Sequence, residues 1–330
     1  MFTFTKKHVS ALLALSLALL CALSPVLPGS AKADEPLCIV CSTFPQYDWT
    51  RQILGERAQE VSLTLLLDSG VDLHSYQPTA ADIARVAAAD LFIYTGGESD
   101  RWVDGLLEAA RNPGLTSLST MACVEAKQEE AVEGMQAEEE EHAHDGDEEE
   151  SPEYDEHVWL SLRNAQTISR AILDALCALD PDHEAAYREN AEVYLSQLAA
   201  LDEAYQAVVD SAARTTILFA DRFPFRYLAD DYGLTYYAAF MGCSAETEAS
   251  FETIAFLARK TDELQLPAVL VIEGTDHSLA ETVVASTSSK NQQILVMNSL
   301  QSVTARDLED GVAYLDVMTD NLDALRQALS

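Results

Sequence analysis

The sequence predicts an α/β protein with two βα lobes, each a mostly parallel sheet of the four-stranded type with flanking helices, joined by one long rigid helix. From residue 37, short apolar runs alternate with amphipathic stretches, which is typical of βαβ units. A second series of the same kind begins at residue 217. Between them, residues 184–211 carry apolar side chains at spacings of three and four, which indicates one helix about 42 Å long at roughly 1.5 Å per residue.

The strands are predicted from the apolar runs that end near Gly, Asp or Asn. These runs are LCIVCSTF (37–44), VSLTLLL (61–67), LFIYT (91–95), ILFA (217–220), LTYYAAF (234–240), AVLVIE (268–273) and QILVM (293–297). The first run contains a C-x-x-C, Cys38 and Cys41, a spacing also found in redox and zinc sites. Because residues three apart on a strand point to opposite faces, we expect these two cysteines to be structural.

The first 33 residues have the features of a secretory signal peptide. Lys6 and Lys7 precede an apolar run from Ala11 to Leu23, and Ala31-Lys32-Ala33 offers a small-x-small cleavage site. We therefore expect an exported protein, periplasmic or on the cell surface, that is soluble once processed. Cys21 is a candidate lipid-attachment residue, although Leu20 precedes it where a small residue is normally found.

Charge is the most unusual property of the composition. Without the predicted signal peptide, which holds three lysines and no acidic residue, 17 basic residues remain against 55 acidic ones. Such a charge repels nucleic acid and favours a cationic ligand. Residues 129–156 concentrate it, with 15 acidic residues in 28 and two embedded histidines, His142 and His144. We expect this segment to be a disordered loop, which either collects metal ions as a secondary site or is only a solvated run of charge.

These features divide the chain into four parts. Residues 1–33 are the signal peptide, 34–162 the N-terminal lobe including the acidic loop, 163–213 the linking helices and 214–330 the C-terminal lobe. We expect a monomer.

Candidate metal ligands follow the predicted strands, because ligands bind at the carboxyl ends of strands in parallel α/β sheets. Imidazole nitrogen combined with carboxylate oxygen suits Zn²⁺ and also Mn²⁺. Asp221, Glu273 and, as a secondary ligand, Asn298 end predicted strands, and His74 lies seven residues after the run 61–67. His157, the remaining candidate, comes directly after the acidic segment.

Two of these residues lie in motifs that resemble a known family. DLHSYQPTAADI (72–83) and DEHVWLSLRNA (155–165), separated by an acidic insert, are similar to the metal-specific solute-binding proteins of ABC transporters, which are zinc- and manganese-uptake receptors. The resemblance covers nearly the whole chain after residue 33. It implies one ion held between two lobes, delivery to a membrane permease, no enzymatic turnover, and His74 and His157 as the first two ligands.

The resemblance does not supply the other two ligands. The family's third ligand falls on Arg222, a permanent cation, and its fourth falls on Asn298. Two alternatives remain open. Either Asp221 and Glu273 complete a set of two histidines and two carboxylates, or the site has two histidines only and Arg222 pairs with a carboxylate across the cleft.

Other functions are less well supported by the motifs. The sequence contains no H-E-x-x-H, no G-x-S-x-G and no phosphate-binding glycine loop, so an enzyme is not expected. A metal-buffering protein or adhesin of the same fold, without a transporter, is the alternative to a transport receptor.

Overall fold

The computed structural model describes residues 36–109, 112–136, 153–244 and 248–330. The predicted signal peptide, Cys21, His142 and His144 lie outside these residues. Across the described chain, no helix is both long enough and apolar enough to cross a membrane.

Two four-stranded parallel sheets confirm the predicted fold class. The first has the order β2-β1-β3-β4 and the second β6-β5-β7-β8. The strands of the first sheet are β1 (Cys38–Cys41), β2 (Ser62–Leu65), β3 (Leu91–Tyr94) and β4 (Thr116–Ser119), and those of the second are β5 (Thr216–Phe223), β6 (Thr235–Met241), β7 (Ala268–Ile272) and β8 (Gln293–Met297).

Helices cover the sheets and connect their strands. They are α1 (Phe44–Leu54), α2 (Ala80–Ala88), α3 (Trp102–Ala109), α4 (Leu162–Leu179), α5 (Glu184–Ser211), α6 (Arg226–Tyr232), α7 (Phe251–Glu263), α8 (Ser278–Ser286), α9 (Ala305–Glu309) and α10 (Tyr314–Ala328). Thr79 caps α2 by accepting from the Asp82 backbone N–H, and the Asp82 side chain accepts from Thr79 in return, so α2 begins where its capping box predicts.

The long helix α5 has the predicted bounds and contacts both halves of the molecule. Asn190 donates to the carbonyl of Ile53 in the N-terminal half at 3.1 Å, and the Tyr205 hydroxyl donates to the carbonyl of Met318 in the C-terminal half at 2.6 Å. The buried face of α5 lies in one continuous hydrophobic core that includes side chains from both sheets. The helix is therefore a packed part of this core.

We expect Leu198→Ala to lower the free energy of unfolding by about 2–5 kcal/mol, because it leaves a cavity in this core. Leu198 is fully buried on α5, whereas Val193 on the same helix is 58% exposed. Val193→Ala is the matched control and should change stability by less than about 0.5 kcal/mol. Urea unfolding measures both, and equal effects would contradict the predicted packing of the helix.

The ends of the acidic segment are ordered, so the prediction of disorder across all of 129–156 is wrong there. Gln128 and Tyr154 form an antiparallel bridge, and the backbone N–H of Gln136 donates to the carbonyl of Ala239 on β6 at 2.9 Å. The sequence prediction failed because backbone pairing with other parts of the chain orders these ends, which composition alone does not show. Residues 137–152 lie outside the described chain.

Candidate metal centre

Three donor side chains converge between the two sheets. His74, His157 and Cys243 each offer one ligand atom, and these atoms all lie within 4.8 Å of one another. The two histidines are those predicted from the sequence. Cys243 was not predicted, although it lies directly after Gly242 at the end of strand β6.

His74 is held by a short turn after β2. Leu73, buried in the core, anchors this 3₁₀ turn (Leu73–Ser75), and Asp72 caps it by accepting the His74 backbone N–H at 2.9 Å. On the imidazole, Nδ1 lies 2.9 Å from the Ser99 hydroxyl and 3.6 Å from a carboxylate oxygen of Glu156. These contacts direct Nε2 toward His157.

His157 is fully buried and fixed by the apolar residues that follow it. Trp159 donates its indole N–H to the carbonyl of Ser299 at 2.8 Å, and the Tyr314 hydroxyl donates to the carbonyl of Trp159 at 2.6 Å. Asp155 accepts from both the backbone N–H and Nδ1 of His157, at 2.8 and 2.9 Å. A histidine that donates Nδ1–H to a carboxylate presents the lone pair of Nε2 as a metal ligand.

The Nε2 atoms of the two imidazoles are 3.1 Å apart. Two zinc-bound nitrogens at tetrahedral angles, each about 2.0–2.1 Å from the ion, are separated by roughly 3.3 Å. The two rings are thus close to the arrangement that a shared ion requires.

Cys243 comes from the C-terminal half, in the loop after β6. Its backbone N–H donates to a carboxylate oxygen of Glu129 at 3.0 Å. Gly242 next to it packs on the His157 ring, since a Cβ there would lie 2.9 Å from the carbonyl of Phe223 and 3.3 Å from two ring atoms of His157. The glycine therefore allows the cysteine loop to approach the buried histidine.

Burial and charge set the protonation of these donors. Burial, His157 and Arg222 lower the pKa of His74 to about 3, so its imidazole is neutral near pH 7. Burial also opposes charge on His157, but Asp155 and Glu129 outweigh it and raise the pKa of this residue. Burial, then Glu129 and Asp155, raise the pKa of the Cys243 thiol.

Buried carboxylates make the surroundings of the three donors negative. Asp155 and Glu156 are almost fully buried, and among the described residues Asp155 Oδ2 and Glu156 Oε2 have no hydrogen-bond partner. Unpaired buried carboxylate oxygens are costly unless a cation compensates them. The arrangement therefore suits a cation held by the two imidazoles and by Cys243, whose thiol would lose its proton on binding the cation.

The carboxylates predicted as further ligands are engaged elsewhere. Asp221 lies within β5, and its carboxylate accepts from the backbone N–H groups of Arg222 (2.9 Å) and Ile272 (3.2 Å). Glu273 accepts from the backbone and hydroxyl of Ser299 at 2.7 and 2.8 Å, which joins the ends of β7 and β8. Neither belongs to the group of donors around the histidines, and both accept backbone N–H groups.

Asn298 is also occupied by local structure. Its side-chain oxygen accepts from the backbone N–H of Leu300 at 2.7 Å, and its backbone exchanges two hydrogen bonds with Asn321 on α10. Arg222 forms an ion pair with Asp72 at 2.8 Å. The second of the two alternatives predicted such a pair between Arg222 and a carboxylate across the cleft.

Known proteins share both the sequence and the fold. The family model described as "Zinc-uptake complex component A periplasmic" (ZnuA) matches residues 39–328. The chain is 32% identical over 316 residues to the zinc-binding lipoprotein AdcA of Streptococcus pneumoniae serotype 4, which covers 96% of this chain but only 60% of that protein. The chain thus spans about three fifths of this relative's length.

Two further matches extend over nearly the whole of the compared chains. The high-affinity zinc uptake system protein ZnuA of Bacillus subtilis is 28% identical over 304 residues, which is 91% of this chain and 90% of that protein. The crystal structure of the Zn(II)-bound ZnuA-like domain of Streptococcus pneumoniae AdcA has a TM-score of 0.71 and 28% identity, and the match covers 89% of this chain and 99% of the domain. The chain belongs to the ZnuA family, the periplasmic component A of zinc-uptake complexes.

Proposed function

We propose that this protein is an extracytoplasmic receptor that captures one Zn²⁺ ion on His74, His157 and Cys243 and delivers it to the membrane permease of an ABC transporter. The observation that carries the proposal is the convergence of these three donor atoms within 4.8 Å. The names of the matched relatives, a zinc uptake protein and a zinc-binding lipoprotein, support it. The predicted signal peptide supports export, and capture involves no chemical turnover.

Cysteine makes Zn²⁺ the preferred cargo over Mn²⁺. Thiolate is a soft ligand that selects zinc, whereas Mn²⁺ prefers carboxylate, carbonyl and water oxygens. With Asp221 and Glu273 hydrogen-bonded to backbone amides, the set of donors is two nitrogens and one sulfur. A small ligand such as water completes a tetrahedral site.

Calorimetric titration of the metal-free protein tests the capture step. We expect one equivalent of Zn²⁺ to bind tightly, and Mn²⁺ to bind weakly and fail to displace zinc. A tighter Mn²⁺ site, or no saturable zinc site, would contradict the proposal.

The contact between Asp155 and His157 leads to a graded prediction. Asp155→Asn keeps an oxygen acceptor for the His157 backbone but removes the charge that orients the imidazole, so zinc affinity should fall by about 10- to 100-fold. Competition with a chromophoric chelator measures the change. The control is Asp202→Asn. The Asp202 carboxylate accepts from Arg163 and Tyr232 and is not in the group of donors. Unchanged affinity in Asp155→Asn would show that this carboxylate does not support the ligand.

Delivery requires a separate test in the native host. Deletion of the gene should impair growth when a chelator limits zinc, and added zinc should restore it. A chain with both His74 and His157 replaced by alanine should not complement the deletion. Complementation by this double variant would favour a role other than zinc uptake.

A further inference from the structure

Arg222 joins the two loops that carry His74 and Cys243. Its Nη2 lies 2.8 Å from Oδ2 of Asp72, and its Nη1 donates to the carbonyl of Ser244 at 3.3 Å. Asp72 precedes His74 by two residues, and Ser244 directly follows Cys243. One guanidinium group therefore contacts the neighbours of two proposed zinc ligands.

The two oxygens of Asp72 have different partners. Oδ1 accepts the backbone N–H of His74, which forms the cap of its turn, and Oδ2 binds Arg222. The turn that presents His74 is thus connected through one carboxylate to a residue of the C-terminal half. A shift of Arg222 would be transmitted to His74 through this carboxylate.

The backbone holds Arg222 firmly at the end of β5. The pairing of β5 with β6 changes register between Phe219 and Arg222, and the Arg222 backbone N–H is bound by Asp221 at 2.9 Å. The side chains of Arg222 and Asp72 are each only 19% exposed, so solvent screens their attraction less than that of a surface pair. A guanidinium also provides a fixed fork of donors, which suits it to hold two acceptors at once.

We propose that Arg222 is a positioning residue that, through Asp72, holds the His74 turn against the Cys243 loop. This inference rests on the proposed zinc capture. Arg222 does not touch the ion, and Asp72 neutralises its charge. Loops that are held in place before zinc arrives lose less freedom on binding, which favours tight and slow-dissociating binding.

Three substitutions separate this role from a general structural one. Arg222→Met removes the charge and keeps much of the length of the side chain. Asp72→Asn keeps an oxygen to cap the His74 turn but loses the ion pair. Arg222→Lys keeps the charge but not the fork of donors, so it should restore only part of the effect.

The measurements are the zinc dissociation rate, from stopped-flow chelator competition, and the cobalt spectrum of each variant. We expect Arg222→Met and Asp72→Asn to release zinc at least about 10-fold faster, a loss comparable to that of an outer-sphere partner. Both variants should keep the thiolate-to-cobalt absorption band, because the ligands are unchanged. The variant that combines Arg222→Met with Asp72→Asn should release zinc no faster than the faster of the two single variants, since the two residues act through one contact.

Arg163→Met is the matched control. It breaks the ion pair between Arg163 on α4 and Asp202 on α5, which is more exposed and contacts no proposed ligand, and it should release zinc at the wild-type rate. Wild-type release by Arg222→Met, additive effects in the double variant, or loss of the cobalt band would each overturn the positioning role. Failure of the wild-type protein to bind zinc would instead overturn the proposed function.

Discussion

Replacing His157 by alanine should weaken zinc binding by more than about 100-fold. Loss of an outer-sphere partner costs up to about 100-fold in metal affinity, and loss of a direct ligand should cost more. The substitution removes a donor that lies 3.1 Å from His74 Nε2. It also leaves the Asp155 carboxylate buried without its imidazole partner, so the site loses a ligand and its supporting hydrogen bond together. Asp221 and Glu273, the carboxylates predicted as further ligands, accept backbone N–H groups instead.

Competition against a high-affinity chelator measures this loss, and unfolding monitored by circular dichroism checks that the variant is folded. His183→Ala is the matched control, because His183 is partly exposed, pairs with Asp180 just before α5 and is outside the group of donors. We expect the control to bind zinc as the wild type does. A folded His157→Ala protein with wild-type affinity would refute the assignment of this ligand.

The second large effect is expected from Cys243→Ser. A hydroxyl is a poor zinc ligand compared with a thiolate, so the site should retain two histidines only and bind zinc more than about 100-fold more weakly. The change is nearly isosteric, which separates loss of the sulfur from a disturbance of the loop. Discrimination against Mn²⁺ should also shrink, since the soft donor is gone.

Cobalt substitution reports directly on the sulfur. The wild-type protein loaded with Co²⁺ should show a thiolate-to-cobalt charge-transfer band, and Cys243→Ser should lack it. Cys123→Ser is the control, because its thiol donates to the backbone carbonyl of Ser119 and lies outside the group of donors. Persistence of the band in Cys243→Ser would show that another cysteine binds the metal.

Strong periodicity predicted most of the fold. The apolar stripe of residues 184–211 predicts α5 with its observed bounds, and the apolar runs predict seven of the eight strands. Strand β4 was missed, because Thr116–Ser119 is mostly polar and is stabilised by pairing with β3 rather than by its own hydrophobicity. Such pairing is a tertiary effect that a local pattern does not contain.

Recognisable motifs predicted His74, after a strand, and His157, directly after the acidic segment, and the structure brings their Nε2 atoms within 3.1 Å of each other. The roles of Asp221 and Glu273 were not predictable. A carboxylate near the end of a strand can equally bind a metal ion or accept backbone N–H groups. The choice between these roles depends on the spacing of neighbouring strands. Cys243 was not predicted, because a lone cysteine after a strand is as typical of a core residue as of a metal ligand, although the sequence places this thiol two residues after β6.

X-ray absorption at the zinc edge tests the central claim most directly. On protein loaded with one equivalent of Zn²⁺, we expect one sulfur at about 2.3 Å and nitrogen or oxygen ligands at about 2.0–2.1 Å, with the histidine scattering pattern of two imidazoles. This result is the set of ligand atoms expected from His74, His157 and Cys243. A shell of nitrogen and oxygen only, with no sulfur, would contradict it.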